Sequence, residues 1–325
     1  MLKGQIFLYG EAHGVEKIMD KQLEIWGNFY HNHNMRHLFV ELPYFTAEFR
    51  NIWMQSDGDD ILREAHDDAN GTPSNVHYEL VFLQTIKREF PETIFHGTDV
   101  GHQYNTTGQR FLQYLEANGL QDTEQYVLTQ ESNAQGEHFY AEDDDWAYRE
   151  YKMVENFIRE FEKLGGDQSI MGIYGANHVK FSDYMHETEV PTMAKQLKAR
   201  YGDVLHTEDL SWAALLTEPI CVEKITVGGK EYDASYFGDA DMRSWSEKYT
   251  QRKFWRLENA YDDFKDKPTF DNILMYDQYP MPIETGQVFA IDYTRADDGS
   301  VERQFFRSDG NAWKGELFTH QFVGE

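Results

Sequence analysis

Short apolar runs, QIFLYG, HLFVEL, TIFHGTD, SIMGIYG and DVLHTEDL, recur between longer amphipathic stretches. That alternation constrains the fold more than any other property of the chain. Helical spacing runs through roughly 15–35, 45–65, 76–90, 104–117, 145–164 and 189–201. Strands and helices taking turns in this way argue for an α/β fold, with a mostly parallel central sheet flanked by helices. In such sheets ligands collect at the carboxyl ends of the strands. The chemically interesting residues of this chain sit at those ends.

After about residue 218 the texture changes. PICVEKITVGGKEYDASYF reads as a hairpin turning at Gly228-Gly229, and QVFAIDYTRADDGSVERQFFRSDG as another turning at Asp298-Gly299. A helix is expected between them, over roughly 241–265. The expected organisation is an α/β core over 1–217 and a small C-terminal α+β addition over 218–325. The acidic run at 141–146 is expected to open a helix, where carboxylates suit the positive end of the dipole.

Of 325 residues, 57 are acidic and 30 are Lys or Arg, a formal charge of −27. Such a field repels phosphate backbones, which argues against nucleic acid and anionic membrane surfaces as partners. No apolar run is long enough to span a membrane. A lone Cys221 leaves no internal disulfide and no cysteine-rich zinc site. A soluble, cytoplasmic protein acting on a small molecule or peptide is the expectation, with the oligomeric state left open.

Two stretches repeat one idea. FLYGEAHG and GIYGANHV each carry an apolar run, then Gly-x-x-His, placing His13 and His178 at two strand ends. Glycine there permits a tight turn and close backbone approach. Glu11, two residues before His13, can fix the imidazole tautomer and raise its basicity. Glu41 follows the run in FVELPY, and Asp99 closes the strand in FHGTDVGHQY beside His102. Each alone could be a cap or a solvated turn. In WAYREYKMVENFI, Arg149, Met153 and Asn156 fall on one helical stripe. A guanidinium on a core-facing stripe needs a carboxylate partner, and Glu11 or Glu41 would serve. A two-His, multi-carboxylate cluster can activate water by general base action, or hold a divalent metal that does so.

The ordered set GEAHG, FVELPY with AEFRNIWMQSDGDD, HGTDVGHQY, YREYKMVENFIREFEKLG and IMGIYGANHVKF covers residues 5 to about 212. It resembles the superfamily that joins erythromycin esterases, Tiki/TraB-type proteins and haem-uptake lipoproteins, and looks most like the erythromycin esterase-like branch. The resemblance implies a hydrolase that cleaves an ester, lactone or amide bond, with His13 as the general base. Glu11, Glu41 and His178 would share its cleft, and Arg149 would hold an anionic or carbonyl group. Asp99, His102, Asn156 and Asn177 become substrate-binding candidates. The Tiki branch implies instead a metal-dependent peptidase, with Mn, Co, Zn or Fe on Glu11, His13, Glu41 and His178. A non-catalytic haem- or metal-binding protein is the third alternative.

Overall fold

The computed structural model describes residues 4–72, 75–141, 145–185, 188–243, 246–313 and 316–324. The chain divides into two compact units, Met1–Ala214 and Leu215–Glu325. In the first unit the elements run β1 Ile6–Glu11, α1 Glu16–His33, β2 His37–Pro43, α2 Tyr44–Met54, α3 Asp60–Asp68, α4 His77–Glu89 and β3 Ile94–Asp99. They continue with α5 Thr107–Ala117, α6 Glu124–Ala141, α7 Trp146–Lys163, β4 Ile170–Gly175, α8 Ala176–Val179, α9 Met193–Tyr201 and β5 Leu205–Asp209. The strands form one parallel sheet in the order β3-β2-β4-β1-β5.

Both faces of the sheet are covered, so its central strand β4 is buried along its whole length and reads as a continuous apolar run. Alternate residues serve opposite cores. Leu38 and Val40 pack with Trp26, Trp53 and Ile86 from the α1, α2 and α4 side. Phe39, between them, packs with Met153, Phe157, Met193 and Leu197 from α7 and α9. That period of two is the pleat of a strand.

The single helix expected over 45–65 is two helices, α2 and α3. The polar turn between them is fixed by Asp59, whose carboxylate accepts from the Trp53 indole N–H at 2.9 Å. Helix α6 was not visible in the sequence, because its buried side carries Thr129, Ser132, Asn133, Gln135 and Gly136 with few apolar residues. Residues 142–144 of the acidic run lie outside the described residues. Asp145 caps α7, accepting from the Tyr148 N–H at 2.9 Å.

The second unit contains β6 Cys221–Val227, β7 Lys230–Asp241, β8 Tyr249–Leu257, α10 Tyr261–Phe264, β9 Thr269–Met275, β10 Val288–Arg295, β11 Val301–Arg307, β12 Ala312–Trp313 and β13 Glu316–Phe322. They form an antiparallel sheet, β12-β13-β11-β10-β8-β7-β6, with β9 pairing to β13. The helix expected over 241–265 is a strand through its middle. β8 pairs with both β7 and β10 and is therefore interior. Phe254 enters one core, while Trp255 and Leu257 enter the other. Packing on both faces erased the alternation that would have marked a strand, and burial overrode local preference. Among the described residues of that stretch, the one-turn α10 near its end is the helical part.

Close backbone approach seats α6 against the loop that follows β3. A Cβ built on Gly136 would lie 1.9 Å from the Gly101 carbonyl oxygen, and one on Gly101 would lie 2.3 Å from that of Ser132. Neither backbone can yield cheaply. Gly136→Ala is therefore expected to cost about 1–3 kcal/mol of stability, measured by denaturant unfolding. An unchanged unfolding midpoint would remove this contact from the list of constraints that place Asp99.

Candidate active site

Register brings the carboxyl ends of the strands into line. Glu11 lies opposite Gly175, and Asp99 opposite Pro43. The ladder between β2 and β3 shifts between Val40 and Pro43, and Glu41 lies within that shift. Its Oε2 accepts the Gly175 N–H at 2.5 Å. A Cβ there would sit a tight 3.1 Å from His13 Nε2 and 3.3 Å from Glu41 Oε2, so a larger residue would crowd both side chains.

Arg149 ties the edge together from α7. Its Nε donates to Asp99 Oδ1 at 2.9 Å, and Nη2 donates to Asp99 Oδ2 and Glu41 Oε1, each at 2.6 Å. Trp146 lies over it, with the ring centroid 5.4 Å from the guanidinium carbon. Burial alone would lower the pKa of the guanidinium, but Asp99 and Glu41 outweigh it and raise the pKa further above its ordinary value. Burial would likewise push both carboxylates up. His178, Arg149 and His13 instead hold Glu41 well below the usual range, and Arg149 and His102 do the same for Asp99.

The two Gly-x-x-His histidines converge on Glu41. His178 Nε2 is 3.3 Å from Glu41 Oε1, and His13 Nε2 is 3.9 Å from the same oxygen. Each ring has a carboxylate behind it. His178 Nδ1 donates to Glu150 Oε2 at 2.6 Å, and His13 Nδ1 donates to Glu11 Oε1 at 2.7 Å. Glu11 is held in turn by the Gln22 amide at 2.5 Å. Burial disfavours the charge on both rings, yet the paired carboxylates win. His13 is raised to about 9 and His178 to about 10. The rings differ in access. The His178 side chain is 5% exposed and that of His13 is 34% exposed. His13 opens on a cleft, together with Glu11, Gln22, Glu41, Arg50 and Glu79.

The remaining expected residues lie around this network. Arg149 directs Nε and Nη2 at two carboxylates and so positions Glu41. Asp99 is buried beneath it. His102 bridges Asp99, at 2.9 Å, and the Tyr140 hydroxyl, at 2.8 Å. Asn156 is buried and engaged with Thr98 O and the Gln135 amide, at 3.1 and 2.9 Å, so it ties α7 to β3 and α6 away from the cleft. Asn177 is exposed on the short α8 that follows β4.

Among the described residues, no group of three or more His, Cys, Asp and Glu is arranged to hold a metal. The reason is chemical. The Glu41 oxygen shared by both histidines already carries a guanidinium at 2.6 Å, a cation where the metal would have to be. The quartet Glu11, His13, Glu41 and His178 does not fit a divalent ion in this arrangement.

Glu150, Gln22, Arg50 and Glu79 belong to the site and escaped the sequence reading. Gln22 did leave a signal, as the polar member of the buried stripe Ile18, Met19, Gln22, Trp26. Glu150 is masked by its neighbour Arg149. Arg50 and Glu79 come from separate helices, and nothing in the spacing couples them.

No family model matches the chain, and no curated protein matches it. Similar solved structures include a Bacillus cereus protein at 14% identity and TM-score 0.45, covering 64% of this chain and 66% of that one. An erythromycin esterase variant in its open conformation shares 12% identity at TM-score 0.46, over 77% and 82%. A succinoglycan biosynthesis protein shares 11% identity at TM-score 0.44, over 63% and 65%. The chain thus spans about two thirds of the first and third of these proteins.

The network fixes how stability responds to pH. Both histidines bind a proton in the fold that the unfolded chain releases near its ordinary value of 6.5. Their contribution is complete below that value and is lost as pH rises through about 9 and about 10. Glu41 and Asp99 act oppositely, contributing above the ordinary carboxylate range and losing that contribution in acid. The unfolding midpoint is expected to peak between about pH 5 and pH 6.5 and to fall toward about pH 10. His178→Gln should be less stable with a flatter alkaline limb. A midpoint level across that range in the wild type would contradict the protonated pair.

Proposed function

We propose that the protein is a hydrolase that activates water with His13 to cleave an ester, lactone or amide bond. The observation that carries this reading is the Glu11–His13 dyad in the cleft. Glu11 occupies Nδ1, which leaves Nε2 as the nitrogen for proton transfer. In the proposed step the water oxygen bonds to the carbonyl carbon as Nε2 takes its proton. The tetrahedral intermediate then collapses, the bond to the alcohol or amine breaks, and the proton returns to that leaving group. Glu41, His178, Glu150, Arg149 and Asp99 hold the geometry beneath it. No cation is assigned to the step, because Arg149 already neutralises the carboxylate that a metal would need.

A base that is protonated up to about 9 sets the pH dependence. Activity on a panel of aryl esters and lactones is expected to rise with pH, with a midpoint in kcat/KM near that value. Glu11→Gln removes the charge that helps raise His13, so its midpoint should move down and its plateau fall by about 10²-fold. His13→Ala should lose turnover while keeping the fold. A midpoint that Glu11→Gln leaves in place would remove His13 from the role of base.

A further inference from the structure

The cleft in front of His13 continues past Arg50 and Glu79. These two residues, with Leu42, also line a second, smaller hollow. Arg50, from α2, donates through Nη2 to Glu79 Oε1, from α4, at 2.5 Å. The side chains are 11% and 12% exposed. Among the described residues the Nε and Nη1 donors of Arg50 have no protein acceptor, although the guanidinium borders both hollows. Arg50 is the arginine that lines the cleft, and it has these donors to spare.

The second hollow has an apolar side. Leu42, Leu62, Ala65 and Leu83 form it, while Gln103 and Thr46, whose buried hydroxyl has no partner, are polar members of the wall. His66, also on its wall, is already fixed. Its Nε2 donates to Val76 O at 3.2 Å, and its Nδ1 accepts from the Asn75 amide at 3.1 Å.

We infer that Arg50, held by Glu79, is an anion-anchoring residue, and that the ligand is an amphipathic carboxylic acid or its ester or amide. The acyl oxygens sit on the free donors of the guanidinium, and the apolar acyl body lies along the leucine side of the second hollow. A planar fork of N–H donors matches a carboxylate in a way that an ammonium does not. Glu79 keeps the fork oriented and satisfies one arm, so a buried charge is not left alone. The assignment to the acyl side of a substrate rests on the hydrolase reading. The binding of the acid itself does not.

The test is calorimetric titration with phenylacetate and with its neutral counterpart, phenylacetamide, at about 0.15 M salt to screen the acidic field. Wild type and His13→Ala are both expected to bind the acid at least about tenfold more tightly than the amide. The double variant Arg50→Met/Glu79→Leu removes both charges together and should lose that preference. If it does not fold, Arg50→Lys serves, because it keeps the charge, loses the fork and should lose most of the preference. Absence of saturable phenylacetate binding in the wild type would overturn the inference, as would an undiminished preference in the variants. If no ester is turned over but the Arg50-dependent preference stands, the hydrolase reading fails and the anion site survives. Hydrolysis that is indifferent to these variants, with no acid preference, has the opposite meaning.

Discussion

The whole site depends on one buried guanidinium. Arg149 projects from α7 onto the sheet edge and joins Asp99 of β3 to Glu41 of β2. None of the three could be buried alone at tolerable cost. Desolvating an unpaired charge is worth several kcal/mol, and even a good pair only roughly offsets that penalty. Together, with the Gly175 N–H and His102 satisfying further oxygens, they form a charged floor that orders β2, β3 and β4 relative to α7. Of the three, Glu41 borders the cleft. The floor fixes Glu41, and Glu41 then gathers the two histidines.

The repeated Gly-x-x-His motif is one local solution with two outcomes. After β4 the chain enters the short α8, and His178 is buried between Glu41 and Glu150. After β1 it turns through Gly14, which has φ of 75° and leaves His13 on the open side. His178 therefore completes the floor, while His13, with the same kind of carboxylate behind it, stands over the cleft. The division of labour comes from the backbone path after each glycine and not from the motif.

Much of this was legible in the sequence for physical reasons. Parallel strands buried on both faces advertise themselves as apolar runs, and their ends mark the ligand edge. An arginine on the same stripe as Met153 had to find a carboxylate, and it found Glu41 as well as Asp99. Pairings made across long sequence separations were harder to read. Glu150 behind His178, and Arg50 with Glu79, join elements whose neighbourhood only the fold sets. Asn156 looked chemical because it was polar on an apolar stripe, yet its amide is consumed by Gln135 and Thr98. In the C-terminal unit, the charges of Arg252, Lys253 and Arg256 gave β8 the look of a helix. Its partners on both sides decided otherwise.

The measurement that bears most directly on the Glu41-centred network is an NMR titration of the imidazole resonances of His13 and His178, assigned by substitution. Midpoints near 9 and near 10 are expected, because each ring lies between two carboxylates. In Glu41→Gln both midpoints should move down together. Midpoints near the ordinary 6.5 for both rings, or a shift confined to one of them in that variant, would contradict the network and the placement of His13 that depends on it.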